Sequence, residues 1–149
     1  MTTLGRALGL TSILTFLLGV GAAAHIVEQE QAKPAGDEAA ASAAAQAWLQ
    51  LVDAGRYAES WDRSAALLRS ALTQAQWEQQ LHAVRGSLGK QASRTSKSAA
   101  STTTMPGAPA GRYVVIQFAT SFAHKQVVET VTLMLEANGR WRVAGYFLG

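Results

Sequence analysis

Apolar residues recur at helical spacing through the first part of the chain and alternate with polar ones through the last part. Ala44, Ala47, Trp48, Leu51 and Val52 share one helical face, with Gln46, Gln50 and Asp53 opposite, which predicts a helix that Asp37 caps and Gly55 ends. A second short helix follows over Arg56 to Arg63, with Tyr57 and Trp61 four residues apart on one face. The apolar segment Ala66 to Leu72 leads to Thr73, whose spacing to Gln76 is that of a capping box. That box opens a helix through Leu88 with Trp77, Leu81, Val84 and Leu88 towards the core, and Gly89 stops it.

Beyond Gly89 the period becomes two. Lys90 to Met105 is rich in Ser and Thr and reads as a solvent-facing strand, irregular at its start. Pro106 to Gly111 is a loop by its breakers. Arg112 to Ala123 is a strand with Val114, Ile116, Phe118 and Phe122 on one face and Tyr113, Val115, Gln117 and Ser121 on the other, and His124 and Lys125 mark the next turn. Gln126 to Ala137 is a third strand, Asn138-Gly139 predicts a two-residue hairpin, and Arg140 to Leu148 completes a meander. Helices followed by a run of antiparallel strands is an α+β order: N-terminal helices packed on a curved, mostly antiparallel four-stranded sheet.

Residues 1–24 read as a signal peptide. Arg6 precedes the uncharged apolar run from Ala7 to Val20, and Ala22 and Ala24 supply the small-x-small pattern that predicts cleavage after Ala24. The competing reading is an uncleaved anchor, since uncharged residues continue to Val27 and make a span of about 20 residues. Residues 25–36, polar and broken by Pro34 and Gly36, read as a linker, and 37–149 as a single domain. The expected address is therefore the periplasm or outside the cell, with single-pass membrane attachment as the alternative. The chain has no cysteine, so neither disulfides nor a lipid-modified cysteine enter the picture. A formal net charge of +3, spread over scattered basic residues, is a weak signal for a polyanion, and nucleic acid is not an expected partner.

Ala47-Trp48-Leu49, Asp53-Ala54-Gly55-Arg56-Tyr57, Ser60-Trp61, Gln76-Trp77, Pro106-Gly107-Ala108-Pro109, Gly111 to Val115, Phe122, Glu129-Thr130-Val131 and Gly139 to Tyr146 form an ordered set of aromatic, glycine and proline positions. Together they resemble the bacterial domain of unknown function 4019 family, from about Ala44 to Gly149. The resemblance implies a small exported protein with a roll similar to the nuclear transport factor 2-like, or cystatin-like, superfold. That superfold hosts isomerases, dehydratases, transport factors and secretion scaffolds, so it does not choose a function.

No catalytic, metal-binding or phosphate-binding motif rises above background. Tyr57, Trp61, Glu129 and Trp141 are the candidate lining of a cone-shaped pocket between sheet and helices, although aromatics at such spacings more often fill a core. Glu129 alternates with Val127, Val131 and Leu133 on an apolar strand face, which makes it the most interesting carboxylate, as a lone acid in a cavity or in a salt-bridged or edge role. Asp53, Glu59 and Asp62 are candidate bases whose neighbours Arg56 and Arg63 favour a solvated rim. Glu78, His82 and Arg85 form a polar surface stripe, and Arg94, Lys97, Arg112, Arg140 and Arg142 read as scattered surface cations. His25, His82 and His124 have no metal-ligand spacing, so neither a metal nor another cofactor is expected.

Two functions remain open. The first is a non-enzymatic exported domain binding a protein partner or a small apolar ligand. The second is a small isomerase or lyase with Glu129 or Asp62 as base and Tyr57 or Tyr113 as donor. With an uncleaved anchor the chain becomes a membrane-anchored periplasmic assembly component.

Overall fold

The computed structural model describes the backbone of residues 20–149 and the side chains of residues 35–149. The chain divides into two compact units, Met1–Ala32 and Lys33–Gly149. In the first, the described residues 20–32 have helical backbone. All side-chain structure below belongs to the second.

Four helices precede four strands: α1 (Val20–Asp53), α2 (Tyr57–Asp62), α3 (Ala66–Ala71), α4 (Gln74–Leu88), β1 (Gln91–Thr102), β2 (Tyr113–Phe122), β3 (Gln126–Leu135) and β4 (Trp141–Leu148). The strands form one open antiparallel sheet in the order β1-β2-β3-β4. This is the α+β order expected from the change of period. Helical backbone runs through residues 25–36, where the sequence reading placed a linker, and Asp37 lies inside α1 instead of capping it. The alanine-rich sequence around this stretch favours helix, and Asp37 is held by an ion pair with Arg112. The leader reading of residues 1–24 falls, apart from helical backbone over 20–24, outside the described residues. Among the described residues no helix is long and apolar enough to cross a membrane.

α1 buries Ala41, Ala45, Trp48, Leu49 and Val52, a face rotated from the one read in the sequence: Leu49 is fully buried and Ala47 exposed. α1 then stops, and Arg56 N–H closes on Leu51 C=O at 2.9 Å. α2 brings Tyr57 and Ser60 beneath it. Three of the four indoles have hydrogen-bond partners. Trp48 Nε1 donates to Ser60 C=O at 2.8 Å and Trp77 Nε1 donates to Ser60 Oγ at 3.0 Å, while Trp61 Nε1 donates to Leu72 C=O at 2.9 Å. Such partners let a large ring enter a core without stranding its N–H.

Thr73 caps α4 through the full capping box with Gln76. The buried face of α4 is Trp77, Leu81, Arg85 and Leu88, so Arg85 takes the place assigned to Val84, which is 40% exposed. Hydrophobicity and helical spacing both favour Val84, but Arg85 turns inward to pair with Asp53 and Glu129. Gly89, at φ +76°, allows an abrupt exit into β1, and a Cβ there would meet His124 Cδ2 at 2.8 Å.

β2 and β3 are central, and their inward residues alternate as expected: Val114, Ile116, Phe118, Thr120 and Phe122 on β2, and Val127, Glu129, Val131 and Leu133 on β3. Tyr113, read as outward, is buried beneath the preceding loop, with its hydroxyl donating to Pro109 C=O at 2.7 Å. The Asn138-Gly139 hairpin has three loop residues, not two. Glu136 N–H donates to Arg140 C=O at 3.0 Å, and only the third loop residue, Gly139, takes positive φ.

Candidate functional site

The inner face of the sheet carries two apolar clusters. One gathers Trp48, Leu49, Tyr57, Trp77, Ile116, Val131 and Leu133 with their neighbours, and the other is Leu88, Phe122 and Val127 with Leu148 packed on it. Between them lies a layer of charge built from four elements: Asp53 ending α1, Arg85 on α4, Arg94 on β1 and Glu129 on β3, with Thr120 and Tyr146 beside them.

Glu129 is fully buried. Its Oε1 accepts from Tyr146 Oη at 2.5 Å and from Arg85 Nη1 at 3.5 Å, and its Oε2 accepts from Thr120 Oγ1 and Arg94 Nε, each at 2.5 Å. Asp53 accepts from Arg85 Nη2 at 2.5 Å and from Arg94 Nη1 and Nη2 at 2.7 and 3.0 Å. Two guanidinium groups face two carboxylates, so the layer is electrically neutral. Arg85 also lies over the Phe122 ring, 4.6 Å from its centroid, and thereby joins the charged layer to the smaller apolar cluster.

Burial works against charge on Asp53, yet the hydrogen bonds and positive charge of Arg94 and Arg85 outweigh it and hold the carboxyl below its ordinary value of 3.8. Burial likewise opposes charge on both arginines, and the facing carboxylates overcome it and strengthen their hold on the proton. Burial and the adjacent Glu129 charge push the Tyr146 hydroxyl far up, so it stays a neutral donor.

The chemistry open to this arrangement is narrow. An ionised carboxylate offers about four lone-pair positions, and four donors surround Glu129. None is left to take a proton from a substrate. A depression of about 270 Å³ lined by Gln46, Gln50, Arg94, Ser96 and Phe118 reaches Arg94, and Glu129 does not line it. Among the described residues no group of three His, Asp or Glu side chains is placed to hold a metal ion.

The four candidate lining residues do not converge. Tyr57 is in the larger cluster, edge-on to His82 at 4.7 Å, and Trp61 and Trp141 pack against the same cluster from its rim. Trp141 and Trp48 border a depression of only about 100 Å³. Glu129 belongs to the charged layer. Asp62 is exposed, with Gln74 Nε2 donating to it at 3.3 Å, and Glu59 pairs with both Arg56 and Arg63 as its neighbours suggested.

Two readings are corrected. Arg85 is 6% exposed and does not belong to a surface stripe, and Arg94 turns inward from the otherwise polar β1. The sequence carries no site signal at Thr120 or Tyr146. Alternation outward from Phe118 and Phe122 places Thr120 on the inner face, but nothing in the chain marks Arg94 as inward.

Residues 44–146 match the model of the family described as protein of unknown function, DUF4019. The chain belongs to the DUF4019 family. The match begins on α1 and ends at Tyr146, so the DUF4019 segment contains all six members of the charged layer. No curated protein and no solved structure matches the chain.

Proposed function

We propose that this protein is an exported, non-enzymatic domain that binds another protein through the side of its sheet bounded by α4 and β4. The observation that carries the reading is where large apolar side chains remain exposed. Val84, 40% exposed on α4, and Phe147, 68% exposed on β4, border one groove of about 240 Å³ floored by Trp77, Leu81, Tyr146 and Leu148. Apolar surface bordering a groove is typical of interaction sites.

The isomerase or lyase alternative draws no support from Glu129, whose lone pairs are all engaged, or from Asp62, which is exposed. Export rests on the leader-like residues 1–24, and on this reading the mature domain works in the periplasm or outside the cell. Helices preceding a four-stranded meander accord with a nuclear transport factor 2-like, cystatin-like roll, and such rolls serve as binding scaffolds as well as enzymes.

The test is photocrosslinking in the native host, with a benzophenone amino acid replacing Phe147 or, as control, Lys97 on β1. A protein adduct at 147 and none at 97 is the expected result, whereas silence at 147 overturns the reading. Amino-terminal sequencing of the same material checks export: a mature chain starting at His25 is expected, and one starting at Met1 in the membrane fraction replaces export with anchoring.

A further inference from the structure

The two edges of the sheet are protected to different degrees. β1 carries the exposed Lys97, has register shifts at Gln91/Ser93 and Ser96/Ser98, and is otherwise mostly Ser, Thr and Ala. A lysine and bulges are the usual means of keeping an edge from pairing with another chain. The first half of β4 is closed by the chain itself: Ala65 N–H donates to Val143 C=O at 2.8 Å, and Arg142 Nη1 donates to Arg63 C=O at 3.1 Å.

The second half of β4 has no such cover. Gly149 and Val128 exchange both backbone hydrogen bonds at 3.0 Å. Hydrogen-bonded and non-bonded pairs alternate in an antiparallel ladder, so the groups of Phe147 point to Thr130, while the N–H and C=O of Tyr146 and Leu148 point away from β3. No described residue donates to or accepts from these outward groups beyond the strand. From Val143 to Gly149 the strand carries no charged residue and no proline.

Resting on the proposal of protein binding at this side, we infer that the partner is a second copy of this chain, joined by antiparallel pairing of β4 with β4 about a twofold axis at Phe147. The register is self-consistent. With Phe147 opposite its symmetry mate, Tyr146 faces Leu148 of the second copy and Leu148 faces its Tyr146, which sets the outward groups of both chains opposite one another. All four outward groups of each strand half are then matched, and no charged residue lies opposite another. An axis normal to the sheet leaves its faces unchanged, so the two sheets become one of eight strands. Both α4 helices lie on the same side, with their Val84 positions flanking the seam. This is the isologous arrangement that a twofold dimer requires.

The natural chain lacks cysteine, so Phe147→Cys gives a single thiol with no background. Its two copies sit at a non-hydrogen-bonded pair, where Cα atoms are about 4.5 Å apart, within the range a disulfide bridges. Mild oxidation of the full chain in the host's exported fraction is expected to give a covalent dimer from Phe147→Cys and none from Lys97→Cys. In sedimentation, Phe147→Lys and Phe147→Glu are each expected to be monomeric, and their mixture to recover the dimer, which mere loss of an apolar ring does not do. A monomeric wild type, or a dimer unchanged by Phe147→Lys, overturns the inference. The mass of the photocrosslinked adduct separates the two claims. Twice the chain mass supports the second copy, another mass at 147 leaves protein binding standing and overturns self-pairing, and no adduct removes both.

Discussion

The larger apolar cluster and the charged layer lie side by side on the inner face of one sheet, and they obtain order by different means. In the cluster, Leu49, Ile116, Val131 and Leu133 are almost completely removed from water and held by non-directional packing. The layer between the two clusters buries Glu129 just as completely, and it tolerates that charge because each oxygen is met by two donors. Burial of an ion pair brings little net stability, since desolvation offsets most of the attraction, but removing one member is expensive. The layer is best understood as a specificity device. Residues of α1, α4, β1 and β3 must all arrive in register before all four charges are satisfied.

The most damaging break in the comparison is Glu129→Ala, which leaves Arg85 and Arg94 facing one carboxylate in place of two. It is expected to cost about 3–5 kcal/mol of unfolding free energy, read from the urea midpoint. A further Arg94→Met is expected to restore part of that loss, and strictly additive costs contradict the layer as a unit. In the cluster, Leu49→Ala is expected to cost about 2–5 kcal/mol with no rescue from any change in the layer. A measured coupling between Leu49→Ala and Glu129→Ala as large as that within the layer dissolves the distinction.

The smallest effect is that of pH. The folded Asp53 carboxyl lies below its ordinary value of 3.8, so its contribution is complete above that value and is lost as pH falls through it towards the folded value. Acid unfolding of Asp53→Asn is therefore expected to be less steep over that window than in the natural chain, although the variant is less stable at neutral pH. An unaltered acid slope removes Asp53 from the layer.

Much of the fold was legible. The capping box at Thr73, the alternation of β2 and β3 and the helix stops at Gly55 and Gly89 are local signals, set by backbone chemistry within a few residues. Glu129 stood out because it interrupts an apolar face, and a salt-bridged role was among its readings. Its partners were hidden for a definite reason. Arg85 and Arg94 lie 44 and 35 residues from it in sequence, and an arginine looks the same in the chain whether it turns inward or outward. Tyr57 lies in the core and Trp61 and Trp141 pack on its rim, while the exposed side of β4 gave no sign, because the face Phe147 occupies is set by its pairing with Thr130.

By itself the sequence determined the order of helices and strands, the DUF4019 membership and the inward face of each central strand, since helical and alternating periods, caps and glycines act over short range. Only the tertiary structure decided which charges meet, which aromatics fill the core and which edge stays open. Those outcomes depend on residues brought together by packing, where desolvation either selects a partner or leaves a group to water.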